Sequence, residues 1–216
     1  MSSGKRVLIM TAVVAERDAV LRGLRGAGSF DVLAAGVGPA PAAASTAAAL
    51  ASGEYRMVVS AGIGGGFPGQ AEIASIVVAN EIIAADLGAE TPDGFLGLDE
   101  LGFGSARIPV EAESAFRVAE ALKAAGLKAA IGPVLTVSTA TGTAATAAEL
   151  AARIPDAAAE AMEGFGVATA AFQRGLPVLE IRAISNTVGP RDRAAWRIGE
   201  ALNALESASS VLIEVL

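Results

Sequence analysis

Short runs of β-branched and apolar residues recur along this chain, each followed by a longer alanine-rich stretch. No other feature constrains the fold as much, because strands separated by helices build an α/β domain around one sheet. The runs predict strands over Val7–Met10, Val32–Ala35, Met57–Ala61, Ile73–Ala79, Val134–Ser138 and Val178–Ile184. Helices are expected over Glu16–Arg25, Ala40–Ala51, Ala112–Ala125, Ala144–Arg153, Glu163–Arg174 and Ala194–Val215. Several strand runs are apolar throughout, as strands covered on both faces are. In the last helix Ile198, Leu202, Leu205 and Leu212 fall on one stripe, which should face the core. No linker, low-complexity tail or fixed-period repeat divides the sequence. Residues 1–216 therefore read as a single α/β domain, a central mixed sheet flanked by helices.

The stretch from Leu87 to Ile108 breaks the alternation and is rich in Gly, Asp and Phe. A segment of that length without regular pattern is usually functional or mobile. Its Phe95, Leu98, Leu101 and Phe103 make it either a hydrophobic flap over a ligand or an ordinary surface excursion. At the N-terminus, Lys5-Arg6 ahead of an apolar run has the superficial look of a signal peptide. Glu16, Arg17 and Asp18 follow at once, so a buried first strand is the better account. No run reaches the roughly 18 apolar residues of a membrane helix. A cytoplasmic protein without membrane contact is expected.

Composition narrows the chemistry. A net charge of −7 argues against nucleic-acid binding, which relies on clustered Lys and Arg. The chain has neither histidine nor cysteine. Cysteine nucleophiles, Ser-His-Asp triads, disulfides and His- or Cys-ligated zinc are thereby removed. Acid–base work falls to carboxylates, Lys, Tyr or water, and carboxylates are the economical choice with one Tyr and few Lys. No dense acidic cluster recommends oxygen-ligated magnesium, and neither a metal nor a cofactor is expected.

The glycine-rich segment Ala61-Gly62-Ile63-Gly64-Gly65-Gly66-Phe67 follows the third predicted strand. Read as a loop, it lets the backbone approach a ligand and present N–H donors. Gly64-x-Gly66-x-x-Gly69 formally fits the dinucleotide fingerprint, which requires a helix to open on its last glycine. Here a strand follows, so NAD and FAD are not expected. The absence of Gly-Lys-Ser/Thr excludes a P-loop.

Three polar residues stand where open α/β sheets bind ligands. Glu16 lies just past the first strand and is either a helix-start acid favoured by the dipole or a site carboxylate. Glu163 opens a helix after Met162, with the same two readings. Asn186 ends the last strand and either caps the turn or offers its amide to a ligand. In Val137-Ser138-Thr139-Ala140-Thr141-Gly142-Thr143, Thr141 and Thr143 either contact a ligand or cap the Ala144 helix. Asp192 is expected to cap the last helix, or an arginine beside it to reach a ligand carboxylate.

Met162-Glu163-Gly164 and Arg182-Ala183-Ile184-Ser185-Asn186, with Gly189-Pro190-Arg191-Asp192-Arg193-Ala194-Ala195-Trp196 beyond, resemble the purine nucleosidase and phosphorylase superfamily. Within it the likeness is to the futalosine hydrolases, and it spans nearly the whole chain. The resemblance implies an N-ribosyl hydrolase of nucleosidase-like fold, assembling as a homo-oligomer. Such an enzyme cleaves futalosine to hypoxanthine and dehypoxanthine futalosine in menaquinone biosynthesis. In the family, the glutamate matching Glu16 directs and deprotonates the attacking water. The one matching Glu163 accepts hydrogen bonds from both ribose hydroxyls, and the neighbouring methionine, here Met162, contacts the sugar. The glycine segment, here Gly64 and Gly65, lies beside the ribose, and Thr141, Gly142 and Thr143 fall on the base side.

The departures are informative. Adenosine-type nucleosidases carry aspartic acid where this chain has Asn186, and an aromatic near Gly142, where it has none. An amide cannot protonate a leaving base, but it suits the adjacent acceptors of a 6-oxopurine. Familiar relatives carry another acid at Ala161. Phosphorylases place a hydroxyl residue at Ile63 and an arginine near the N-terminus, where this chain has Ala12-Val13-Val14-Ala15-Glu16. Water is therefore the expected nucleophile. The rival readings are a methylthioadenosine/adenosylhomocysteine nucleosidase and a non-catalytic nucleoside-binding domain.

Overall fold

The computed structural model describes residues 5–216. The β-branched runs form strands because branched side chains fit a pleated surface, and the alanine-rich stretches form helices because alanine loses no rotamer freedom there. In chain order the elements are β1 (Arg6–Thr11), α1 (Val14–Leu24), β2 (Phe30–Ala34), α2 (Pro39–Ser52), β3 (Tyr55–Gly66) and β4 (Ile76–Ala84). Then come β5 (Gly88–Thr91), β6 (Gly94–Gly97), α3 (Leu98–Leu101), β7 (Arg107–Pro109), α4 (Ala112–Ala124) and β8 (Ala129–Thr136). The chain continues with α5 (Ala144–Arg153), β9 (Ala159–Ala161), α6 (Gly164–Gln173), β10 (Val178–Thr187) and α7 (Ile198–Val215).

Strands β10, β4, β8, β9, β3, β1 and β2 lie side by side in that order, and β7 pairs with β4. Because β10 also pairs with β3, part of the mixed sheet closes on itself. Strand β3 runs parallel to β1 and β10 and antiparallel to β9. Helices α1, α4 and α7 cover one face around Val20, Leu122, Leu205 and Leu212. Helices α2 and α6 cover the other around Leu50 and Val167. Each such buried side chain contributes about 1.5–3 kcal/mol of transfer free energy. No helix among the described residues is long and apolar enough to cross a membrane.

Helix α5 keeps its predicted ends, because Thr143 caps it by accepting from the Thr146 amide at 3.1 Å. Several expectations are corrected. The glycine segment is not a loop, since Gly62 to Gly66 continue β3. The strand expected from Ile73 begins at Ile76, because Ala74 takes a φ of 63° that interrupts extended chain, and it runs on to Ala84. The final helix is split. Asp192 caps a 3₁₀ turn (Arg193–Ala195), accepting from the Ala194 amide at 3.0 Å, rather than α7. The Arg197 amide donates to the Ser185 carbonyl at 2.8 Å, and α7 starts only at Ile198. Leu205 and Leu212 of its stripe are buried, Leu202 is half-buried, and Ile198 is exposed. Leu87 to Ile108 is not irregular: it forms the β5–β6 hairpin, α3 and part of β7. Its Phe95 ring sits over the Arg153 guanidinium, 4.1 Å from ring centre to carbon.

Candidate active site

Glu16 is the third residue of α1, where an acid satisfies helix-start amides. Its Oε2 accepts from the amides of Ala12 at 2.9 Å and Val13 at 3.2 Å. Its Oε1 reaches β3 and accepts from the Ile63 amide at 2.8 Å. The helix-start contacts and a contact across to β3 are therefore combined in one side chain, which is only 3% exposed. Burial raises the Glu16 carboxyl above the ordinary carboxylate range. Arg182 and the amides of Ile63 and Val13 oppose that rise, and Glu163 adds to it. A carboxylate so placed is a stronger base than an exposed one.

Alternation along β10 puts Glu180 and Arg182 on one face of the strand, with Leu179, Ile181 and Ala183 on the other. Both charged residues are fully buried. Arg182 donates from Nε to Glu180 Oε1 at 2.8 Å and from Nη2 to Ser60 Oγ at 2.9 Å. Its Nη1 lies 3.5 Å from Glu163 Oε2. Burial opposes the charge on the guanidinium, yet Glu180, Glu163 and Glu16 outweigh it and bind the proton more tightly. Gly62 makes this gathering possible. A Cβ there would lie 2.6 Å from Glu16 Oε1 and 2.7 Å from Arg182 Nη1.

Glu163 sits at the junction of β9 and α6. Its Oε1 accepts from the Gly38 amide at 3.2 Å, ahead of α2. With Arg182 near its other oxygen, the carboxylate is held in place and still has lone pairs for two hydroxyl donors. At the end of β10 the pairing with β3 slips between Ile184 and Asn186, which re-aims the polar end of the strand. Ser185 Oγ donates to Asn186 Oδ1 at 2.8 Å, and Asn186 Nδ2 donates to the Thr187 carbonyl at 3.1 Å. Among the described residues the other Nδ2 proton has no acceptor.

These elements enclose a cavity of about 320 Å³. Glu16, Gly64, Gly65, Thr141, Met162, Glu163 and Asn186 all line it, so seven of the residues singled out in the sequence meet in one place. Gly142 and Thr143 are not among its walls: Gly142 accepts from the Arg191 amide at 3.1 Å, and Thr143 is spent on capping α5. No residue of Leu87 to Ile108 lines it either, so within the described chain that segment is not a flap over this cavity.

Sequence reasoning gave no role to four contributors. Arg182 and Glu180 carried a signal, since polar residues two apart in an apolar strand must share a face. Trp196 lines the cavity, with Arg191 over its ring at 5.2 Å. Glu160 also lines it, accepting from both the amide (2.8 Å) and the hydroxyl of Thr141. Burial raises its carboxyl, Thr141 opposes that, and Asp86 adds to it.

Taken together, the arrangement offers a buried base, a fixed carboxylate with open acceptor sites, and an amide donor at the far end. These are the parts for directing water at a carbon while a polar ring departs.

Comparison with known proteins agrees in sequence and in fold. A model of the phosphorylase superfamily matches residues 18–216. A futalosine hydrolase of Streptomyces coelicolor is 55% identical, with 97% of this chain and 96% of that protein covered. A futalosine hydrolase of Thermus thermophilus is 36% identical, over 87% of this chain and 82% of its own. In structure, a futalosine hydrolase mutant of Helicobacter pylori superimposes with a TM-score of 0.85 at 16% identity, covering 99% of this chain and all of that one (100%). A Neisseria meningitidis 5′-methylthioadenosine/S-adenosylhomocysteine nucleosidase gives 0.81 at 16% identity, covering 98% and 100%. At that identity the two structures bear on the fold alone.

Proposed function

The chain belongs to the phosphorylase superfamily, and on that footing we propose that it hydrolyses futalosine to hypoxanthine and dehypoxanthine futalosine, a step of menaquinone biosynthesis. The observation that carries the reading is that Glu16, Glu163 and Asn186 line one cavity, in a chain more than half identical to a futalosine hydrolase.

In the proposed reaction the C1′–N9 bond lengthens toward an oxocarbenium-like state. Glu163 accepts from the two ribose hydroxyls and holds the sugar. Water attacks C1′ as Glu16 takes its proton. The bonding pair leaves with N9, and Asn186 Nδ2 donates to the departing base, whose proton then comes from solvent. Ile63 at the phosphorylases' hydroxyl position, and a carboxylate at Glu16, favour water over phosphate. Arg191, stacked over the cavity-lining Trp196, is the arginine proposed to meet a substrate carboxylate. The enzyme is proposed to be cytoplasmic and homo-oligomeric. Exposed Val13, Val14 and Val37 beside the cavity support an apolar contact there.

The test is turnover by Glu16→Gln and Glu163→Gln. Both should lose base release by 10³-fold or more, on the order of a missing base or a missing sugar anchor, while circular dichroism stays that of the wild type. A near-wild-type rate in either variant removes that residue from the mechanism.

A further inference from the structure

One buried carboxylate in the cavity has no part in the mechanism above. Glu160 is 7% exposed, and among the described residues its hydrogen-bond donors come from Thr141 alone, with no cation paired to it. A carboxylate kept from water by two neutral donors is costly, and its remaining lone pairs call for further donors.

The sheet register shows where such a donor would sit. Gly65 is paired with Glu160 of β9 on one side and with Asn186 of β10 on the other. Paired residues across a sheet project to the same face, so Glu160, Gly65 and Asn186 stand abreast, and all three line the cavity. The central residue has no side chain. A gap of two strand spacings, about 10 Å between the outer Cα positions, is thus floored by bare backbone. Asn186 Nδ2 leans over that floor, 3.2 Å from the point a Gly65 Cβ would occupy. Its orientation is fixed by the Thr187 carbonyl, so the side facing the gap is a donor. The gap therefore has a donor at one edge and an acceptor at the other.

We propose that Glu160 is a specificity-determining residue that accepts the N1–H of a 6-oxopurine lying between it and Asn186. The inference rests on the nucleosidase reading above and extends it to the choice of base. A 6-oxopurine carries acceptors at O6 and N7 and a donor at N1, matching Asn186 and Glu160 respectively. A 6-aminopurine reverses the pattern: its N1 is an acceptor, which a carboxylate repels. A site built around one hydrogen-bonding pattern discriminates strongly against a ligand that leaves its groups unmatched.

The experiment measures kcat/KM on futalosine and on aminofutalosine, its 6-amino counterpart, for wild type, Glu160→Gln and Thr141→Val. Calorimetric titration of free hypoxanthine and adenine accompanies it. Glu160→Gln should lower futalosine kcat/KM roughly ten- to hundred-fold, the worth of one charge-assisted hydrogen bond, while aminofutalosine is unchanged or improved. Thr141→Val removes one of the bonds that orient Glu160 but keeps its carboxylate, so it should lower futalosine turnover while retaining a preference for futalosine over aminofutalosine. An unchanged substrate ratio in Glu160→Gln would overturn the proposal and make Glu160 a prop for Thr141. So would wild-type protein that binds adenine as tightly as hypoxanthine, a result that needs no variant to fold. A wild type that leaves futalosine intact but prefers hypoxanthine, and loses that preference in Glu160→Gln, would sink the proposed reaction and uphold this assignment.

Discussion

Replacing Arg182 with methionine tests the electrostatic account of the site most severely. Methionine keeps an unbranched apolar stem, stops about two atoms short of the guanidinium nitrogens, and removes the charge. In the wild type this one guanidinium serves Glu180 at 2.8 Å and Glu163 at 3.5 Å, and its field also reaches Glu16. Glu180 is completely buried, and its Oε2 already has no hydrogen-bond partner. Without Arg182 its other oxygen loses the partner as well. Stripping one member from a buried ion pair costs about 3–5 kcal/mol, because the remaining charge stays desolvated. For a chain of this size each kcal/mol lowers Tm by about 2–4 °C, so a fall of roughly 6–20 °C is expected.

The deficit should also depend on pH. Burial already holds the Glu180 carboxyl above its ordinary value, and Arg182 restrains that rise. In the variant the folded form therefore binds a proton more tightly than the unfolded chain does. Stability is then greatest below the ordinary carboxylate range and is lost as pH rises through the raised folded value. Urea unfolding followed by circular dichroism at about pH 5 and about pH 8 would show the larger deficit at the higher pH. Adding Glu180→Met to Arg182→Met should recover part of the loss, since the orphaned charge goes with it. A deficit under about 1 kcal/mol, or one equal at both pH values, would refute the claim that Arg182 compensates buried charge.

Other outcomes follow from the same geometry. Gly65→Ala puts a Cβ 2.9 Å from Val188 Cγ2 and 3.2 Å from Asn186 Nδ2, so KM for futalosine should rise at least about ten-fold with the fold retained; an unchanged KM would show that no ring lies over Gly65. Gly62→Ala would collide with Glu16 and Arg182 together, and steady-state kinetics should show kcat falling with KM little changed. Because burial raises Glu16, which must be ionised to accept a proton from water, the acid limb of the kcat/KM profile should lie above the ordinary carboxylate range. A limb at or below that range would exclude Glu16 as the base.

How much of this was legible in the sequence depended on whether local chemistry or tertiary space chose the residue. Strands such as β1 and β10 announce themselves through consecutive Val, Ile and Leu, and α5 through its Thr143 cap. The segment Gly62 to Gly66 reads as a loop because glycine is a turn residue in isolation. Here glycine is required inside a strand, since Glu16, Arg182, Glu160 and Asn186 crowd against it from neighbouring elements. Nothing local reveals that. β9 is equally silent, being three residues drawn from an alanine-rich run, and with it went Glu160. The split before α7 is set by a bond from Arg197 to Ser185 across the fold. Glu16 and Glu163 could be singled out as helix-start acids, but local sequence does not distinguish a capping acid from a catalytic one. Tertiary structure adds that both line one cavity, with Arg182 3.5 Å from Glu163 and its field reaching Glu16.

The most direct measurement is base release by chromatography in phosphate-free buffer, with futalosine, aminofutalosine, methylthioadenosine and inosine offered side by side. Hypoxanthine from futalosine, with little base from the other three, is the predicted result. Adenine from methylthioadenosine as the main product would contradict the substrate assignment while leaving the glutamates in place. Release from none of the four would contradict the hydrolase itself.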